Sequence, residues 1–201
     1  MPKITQEKKR ERKEHILNIA FELFAEKGYS ATGMRDIMKA ANVSKGGIYV
    51  YFESKAAILL SIVERFDNRR HNILESIDTT LSAEEIFDCY LRERLERFKY
   101  EENRKWSRLA LEFWSLPERI PELSRIMDRR FKAYQKDIEY IIRQGIDKGV
   151  FRKDCLIDEV VYQIMSTING VGVLSGAMGR VITDNQINET IKMHLKYLKG
   201  E

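Results

Sequence analysis

One short stretch of this 201-residue sequence concentrates residue types that can bind DNA. Lysine, arginine and tyrosine side chains donate hydrogen bonds to phosphate oxygens, and glycine lets the backbone approach a groove closely. The candidates, which include the serine before the two glycines, are Arg35, Ser44, Lys45, Gly46, Gly47, Tyr49, Tyr51 and Lys55. Three alternatives are open: Arg35 is an ordinary surface residue, the two glycines only weaken a helix start, or Tyr51 lies partly in the core.

Charge is distributed unevenly along the chain. The net charge is +4 at pH 7. Residues 1–60 contain 11 basic and 7 acidic residues, whereas residues 61–201 contain 24 of each. An excess confined to the first third is typical of an N-terminal part that faces a polyanion, although a slightly basic soluble protein would also show it.

Other classes of function find little support. The histidines His15, His71 and His194 are far apart, and the chain has neither a G-x-S-x-G nor a P-loop pattern. Cys89 and Cys155 are widely spaced, which predicts reduced thiols rather than a disulfide framework or a zinc site. We therefore expect no enzyme activity and no cofactor. No apolar run approaches eighteen residues and no export signal opens the chain, so we expect a cytoplasmic protein without a membrane partner.

The spacing of apolar residues predicts an all-α fold. No proline lies between residues 3 and 116, so the strongest helix breaker is absent there. Apolar residues at helical spacing predict a first helix that ends at Gly28, and about nine helices in all. We expect an N-terminal three-helix domain at residues 1–53 and a C-terminal helical domain at residues 54–201.

A helix-turn-helix is predicted inside the first domain. Asn42 tolerates the left-handed conformation, so it marks a sharp turn between two short helices. The second of them is only two turns long and must be held by packing, with Val43, Ile48 and Phe52 as anchors. A longer helix is expected from residue 54 to about residue 77, bridging the two domains.

These elements, in this order and spacing, resemble the TetR family of bacterial transcriptional regulators. The resemblance covers about the first 60 residues. It rests on ILNIAFELFAEKGYSAT at residues 16–32 and MRDIMKAANVSKGGIYVYFESKAAIL at residues 34–59. Met38, Asn42 and Gly47 stand where the family usually has alanine, glycine and threonine.

The resemblance implies a role for each half of the chain. Tyr49 and Tyr51 would contact the DNA backbone on either side of a groove, Lys55 would contact a phosphate, and Arg35 would reach the groove or its flank. The C-terminal domain would bind a small-molecule effector that releases the DNA. The expected function is that of a repressor. An activator, or a helical interaction module that has lost DNA binding, is the alternative.

An effector pocket is expected among aromatic residues of the second domain, because such residues commonly line ligand cavities. The candidates are Trp106, Leu109, Glu112, Phe113, Phe131, Tyr134, Tyr162, Met165 and Asn169. The carboxylate of Glu112 in such a cavity would suit a cationic ligand. The open alternatives are that the aromatic residues are plain core and that Glu112 lies on an outer helix face.

A homodimer is expected because one two-turn helix reads too few bases. Such readers bind palindromic half-sites about 34–36 Å apart. The resemblance places the dimer interface on the last two helices, where an apolar stripe and small residues allow close approach. The candidates are Gly172, Gly176, Ile187, Ile191, Leu195 and Leu198. A frayed or broken helix near Gly170 is the alternative.

Overall fold

The computed structural model describes residues 5–70, 73–78, 80–113 and 120–201. Ten α-helices and one 3₁₀ turn form in these residues, and no β-strand does, which confirms the all-α prediction. The elements are α1 (Gln6–Lys27), α2 (Met34–Ala40), α3 (Lys45–Tyr49), α4 (Lys55–Arg70), α5 (Ile73–Ser76), α6 (Ala83–Glu96), the 3₁₀ turn Arg97–Lys99, α7 (Glu101–Phe113), α8 (Pro121–Asp147), α9 (Ile157–Ala177) and α10 (Asp184–Lys199).

The chain forms two compact units. The first comprises Met1–Asp67 and Leu109–Ile126, and the second comprises Asn68–Arg108 and Met127–Glu201. The long helix expected from residue 54 to about residue 77 corresponds to α4 and α5, with residues 71 and 72 outside the described part of the chain.

In the first unit, α1 carries the predicted apolar face and ends at the predicted glycine. Its buried residues include Ile16, Ala20 and Phe24, which recur at helical spacing. Gly28 caps the helix with a φ of +89°, a left-handed conformation that glycine adopts without strain. The helix can therefore end sharply, and the chain turns into the segment that leads to α2.

The turn between α2 and α3 is the predicted one. Asn42 has a φ of +50°, the only positive value outside glycine among the described residues. Two α1 side chains support the turn: Arg12 Nη2 donates to the carbonyl of Asn42 at 2.9 Å, and His15 Nε2 lies 3.1 Å from the carbonyl oxygen of Ala41. The first helix thus fixes the geometry of the helix-turn-helix by satisfying its exposed carbonyl groups.

Helix α3 is too short to be stable alone, and its buried side chains hold it against the rest of the first unit. Ile48 and Phe52 are buried and anchor it, whereas Val43 is half-buried. The helix has five residues, too few for stability in isolation. Its orientation is therefore set by the core of the first unit.

The second unit has its own apolar core, to which α6, α8, α9 and α10 contribute. Helix α6 begins with a capping box in which Ser82 and Glu85 exchange hydrogen bonds. Phe87, Leu91 and Leu95 are its buried face. None of the helices in the described residues has the length and apolar character needed to cross a membrane.

Candidate DNA-binding site and effector cavity

The start of α3 presents the predicted DNA-binding residues to solvent. Lys45 and Gly46 are exposed, Tyr49 is 44% exposed, and Arg35 is exposed on α2. Within the described residues, no carboxylate lies within 4 Å of the Lys45 ammonium. Ser44 uses its hydroxyl as the helix cap, which accepts from the backbone N–H of Gly47 at 3.1 Å.

The two glycines of α3 have different surroundings. A Cβ at Gly46 would meet nothing within 4 Å, whereas a Cβ at Gly47 would lie 3.1 Å from Ser44 Oγ. The absence of a side chain at residue 47 therefore gives the serine cap room, and residue 46 faces open space.

Tyr51 and Lys55 make more contacts within the protein than their expected role in DNA binding requires. Tyr51 is half-buried. The Lys55 ammonium donates to the carbonyls of Tyr29 and Thr32 at 2.7 Å each and lies 4.2 Å from the Tyr29 ring centre. Burial lowers the pKa of Lys55, and the negative charge of Glu112 opposes that shift. Lys55 therefore links the start of α4 to the segment after α1 by hydrogen bonds. Its contact with a DNA phosphate stays a prediction.

Glu112, which is expected to face an effector pocket, contacts the segment after α1, and its pocket role stays a prediction. Its carboxylate accepts hydrogen bonds from the backbone N–H groups of Tyr29, at 2.9 Å, and Ser30, at 3.4 Å. These N–H groups follow the end of α1 and have left the helical hydrogen-bond pattern, so they need another acceptor. A Cβ at Gly28 would lie 2.7 Å from Glu112 Oε1. Glu112 therefore positions the segment that leads into the helix-turn-helix.

Replacing Glu112 with alanine is expected to lower the free energy of unfolding by about 1–3 kcal/mol, because a partly buried N–H group loses a charged acceptor. Urea unfolding measures the difference. The matched control is Glu26→Ala, which removes an exposed glutamate of α1 and should change stability by less than about 0.5 kcal/mol. Equal effects of the two substitutions would contradict the role of Glu112.

Several of the other expected pocket residues are exposed in the part of the chain that the structure describes. Phe131 is 48% exposed and Tyr162 is 67% exposed, and the pocket role of each stays a prediction. Asn169 is exposed, and its amide donates to the carbonyl of Met165 one turn earlier, at 2.9 Å. Helical spacing places a residue on a face, but it does not say whether that face meets the core, a cavity or solvent.

The remaining members of that set divide between core and cavity. Trp106, Leu109 and Met165 are buried, and their pocket role stays a prediction. The side chain of Phe113 lies outside the described residues. Tyr134 lines a cavity in the second unit.

That cavity lies in the second unit and has a volume of about 450 Å³. Residues of α5, α6 and α8 line it, together with Ile77, which follows α5, and Lys148, which follows α8. Its size is within the range of small-molecule sites. Sequence reasoning missed most of its lining, although Ala133, Asp137, Tyr140 and Gln144 recur at helical spacing on α8 and mark one face that mixes small and polar residues.

Two families match this sequence. Residues 16–62 match the family described as bacterial regulatory proteins, tetR family. Residues 91–198, more than half of the chain, match the C-terminal domain of the BetI-type transcriptional repressor. The chain belongs to the TetR family.

Relatives of this TetR-family chain regulate transcription. The HTH-type transcriptional repressor KstR2 of Mycobacterium tuberculosis is 27% identical over 187 residues, which cover 89% of this chain and 88% of KstR2. The HTH-type transcriptional regulator YfiR of Bacillus subtilis is 26% identical over 151 residues, covering 75% of this chain and 73% of YfiR. The chain is therefore a DNA-binding transcriptional regulator.

A solved structure of another transcriptional regulator shows the same fold. The transcriptional regulator of Saccharomonospora viridis in complex with choline aligns with a TM-score of 0.77 and 23% identity, covering 94% of this chain and 97% of that one. The likeness supports an N-terminal helix-turn-helix domain followed by a helical domain, as expected from the sequence.

Most of the α10 residues predicted for the dimer interface of this TetR-family chain are buried within one protomer. Ile187, Ile191 and Leu198 are almost fully buried in the core of their own unit, and Leu195 is half-buried against that core. The apolar stripe of α10 faces inward, where α6 is its main neighbour. Ile187, Ile191 and Leu198 therefore close the core of their own protomer, whereas the interface role of Leu195 stays a prediction.

The two glycines expected at the dimer interface instead allow close packing inside the unit. A Cβ at Gly172 would lie 3.1 Å from the Phe98 ring. A Cβ at Gly176 would lie 2.7 Å from Ser107 Cβ and 2.9 Å from the carbonyl oxygen of Arg104. Gly176 therefore faces α7 of the same chain, and its assignment to the dimer interface is wrong.

Proposed function

We propose that this protein is a repressor that binds a palindromic DNA site as a homodimer, with residues 1–53 contacting DNA and residues 54–201 binding an effector and the second protomer. One observation carries the DNA-binding assignment. Arg35, Lys45 and Tyr49 are exposed together around α3, whereas Ile48 anchors the same helix in the core. A basic, phenolic surface on a rigid helix suits phosphate and groove contacts.

Repression and release are supported by relatives. KstR2 is named a transcriptional repressor, and the matching C-terminal domain is described as that of a repressor. The structural neighbour from Saccharomonospora viridis was solved with choline, a small molecule. We infer the same arrangement here, in which an effector shifts the protein toward a form with lower DNA affinity. The regulator would act in the cytoplasm, where its DNA lies, and would need no catalytic activity.

A selection from random double-stranded DNA at near-physiological salt tests this function. The expected result is an enriched palindrome with two similar half-sites. A co-purified effector could hold the protein in its released form, so the selection is repeated with protein that has been denatured and refolded without ligand. If folded, ligand-free protein enriches no sequence, the proposal fails.

The homodimer requires a surface other than the predicted stripe. The exposed apolar side chains of α9, of its C-cap residue and of α10 supply one, which we call the outer apolar face. Its members are Tyr162, Leu174, Met178, Met193 and Tyr197, each at least 40% exposed. Leu174 and Met178 are four residues apart at the C-terminal end of α9, close to one turn, so they share a side. We assign this face to a second copy of the chain because palindromic DNA needs two symmetric readers.

Replacing Leu174 with arginine is expected to convert the dimer to a monomer, because a charge would be buried at the centre of the apolar contact. Sedimentation velocity measures the mass, which should fall from about twice 23.7 kDa to the value of one chain. Leu156→Arg is the control: it changes another exposed leucine, which precedes α9 and is not part of the outer apolar face. A Leu174→Arg protein that remains dimeric would refute the assignment.

A further inference from the structure

The walls of the 450 Å³ cavity in the second unit are largely apolar. Leu74, Ile77 and Ile86 supply aliphatic surface, and Tyr134 and Tyr140 supply two aromatic rings. Such walls favour a ligand with an apolar or aromatic body. Tyr140 is 52% exposed, so the cavity is open to solvent on that side.

Charge at the cavity determines what else the ligand carries. Two lysines, Lys136 and Lys148, line the cavity and are exposed. Across the part of the chain that the structure describes, neither ammonium has a carboxylate within 4 Å. Their positive charges are therefore available to a bound anion.

One acidic residue lines the cavity among those described, and its charge is already balanced. Asp137 Oδ2 accepts from the Tyr90 hydroxyl at 3.2 Å and lies 3.4 Å from Nη2 of Arg94. Arg94 is only 4% exposed, and a buried guanidinium requires an opposite charge beside it. Asp137 is thus the counter-ion of Arg94, which makes it a poor partner for a cationic ligand.

Further positive charge lies behind the lining. Arg94 Cζ is 4.1 Å from the Tyr134 ring centre, and Arg130 Nε donates to the Tyr134 hydroxyl at 3.1 Å. Nε of Arg94 is buried without a hydrogen-bond acceptor in the described residues. Arg94 and Asp137 offset each other, which leaves the charges of Lys136 and Lys148 on the lining and of Arg130 against Tyr134. The field in the cavity therefore favours anions.

We propose that this cavity binds an organic anion with an apolar or aromatic body, such as an aryl-alkyl carboxylate. The apolar walls would hold the body, and Lys136 and Lys148 would hold the carboxylate. That this ligand is the effector rests on the proposed function, whereas its binding to the protein does not.

Three probes of the same skeleton test the charge preference: 6-phenylhexanoate, 6-phenylhexan-1-ol and 6-phenylhexylamine, which is cationic at pH 7. Each is titrated calorimetrically into the full chain without DNA at low salt. We expect the carboxylate to bind at least about tenfold more tightly than the amine, with the alcohol between them. Equal or tighter binding of the amine, or no binding of any probe, would overturn the proposal.

Two paired variants locate the site. The double variant Lys136→Gln, Lys148→Gln should weaken carboxylate binding about tenfold and leave alcohol binding within about twofold, since only the charged head loses its partners. The control, Lys132→Gln with Lys153→Gln, removes two exposed lysines that do not line the cavity and should change neither. Equal losses in the two double variants would overturn the assignment of this cavity.

A DNA-binding titration separates this inference from the proposed function. Saturating 6-phenylhexanoate should lower the affinity of the protein for its selected DNA if the cavity is the effector site. Carboxylate binding with the expected lysine dependence but unchanged DNA affinity would leave the anion site standing and refute its role in release.

Discussion

Replacing Lys45 with glutamate is expected to weaken DNA binding about a hundredfold without changing the fold. Lys45 is exposed at the first position of α3 and has no acidic neighbour in the described residues. The substitution turns an attraction for phosphate into a repulsion, and a dimer carries the change twice. Fluorescence anisotropy with labelled DNA measures the affinity, and thermal unfolding verifies the fold.

The salt dependence gives the Lys45 prediction a second readout. Lys45→Ala should reduce the slope of log affinity against log salt by about two per dimer, one for each lost phosphate contact. Lys153→Glu, which reverses an exposed lysine in the second unit, is the matched control and should leave the affinity within about threefold. If Lys45→Glu retained the affinity of the control, α3 would not be the DNA-binding helix.

Replacing Gly176 with alanine is expected to destabilise the protein by about 1–3 kcal/mol, although alanine is the better helix former. The new Cβ would lie 2.9 Å from the carbonyl oxygen of Arg104 and 3.1 Å from the backbone nitrogen of Arg108. Backbone atoms of α7 cannot rotate away as a side chain would, so the two helices must separate slightly. Urea unfolding measures the loss.

Gly170 provides the matched control for Gly176 within the same helix. A Cβ there would meet nothing within 4 Å, so Gly170→Ala should raise stability by about 0.5–1 kcal/mol. Both substitutions are made in the Leu174→Arg background, so that the outer apolar face does not contribute to the comparison. A loss of stability at Gly170 that equals the loss at Gly176 would contradict the close packing of α9 on α7.

The helix-turn-helix could be predicted from sequence because its determinants are local. Ser44 lies three residues before the N–H that it caps, and Asn42 adopts the left-handed conformation that its side chain tolerates. Thr32 shows the limit of that reasoning. Threonine is a favoured N-cap, but Gly33 holds the N-cap position of α2 and the Thr32 hydroxyl donates to the carbonyl of Gly28.

The pocket and dimer residues could not be predicted because they depend on which elements meet. The stripe through Ile187 and Ile191 indicates that one face of α10 is buried, but the same pattern would serve α6 or a second protomer. The partner of Glu112 is more than eighty residues away in sequence. No local pattern distinguishes a carboxylate that binds a ligand from one that binds a backbone N–H group.

The half-site spacing tests the central claim, that a symmetric pair of α3 helices reads DNA. Once a palindrome has been selected, five base pairs are inserted between its half-sites, which rotates one of them by about half a turn to the opposite side of the duplex. Binding of the wild-type dimer is then compared by anisotropy on the two DNA molecules. We predict that the insertion weakens binding at least about a hundredfold, to the level of unrelated DNA. Equal affinity for both molecules would contradict reading by a rigid symmetric dimer.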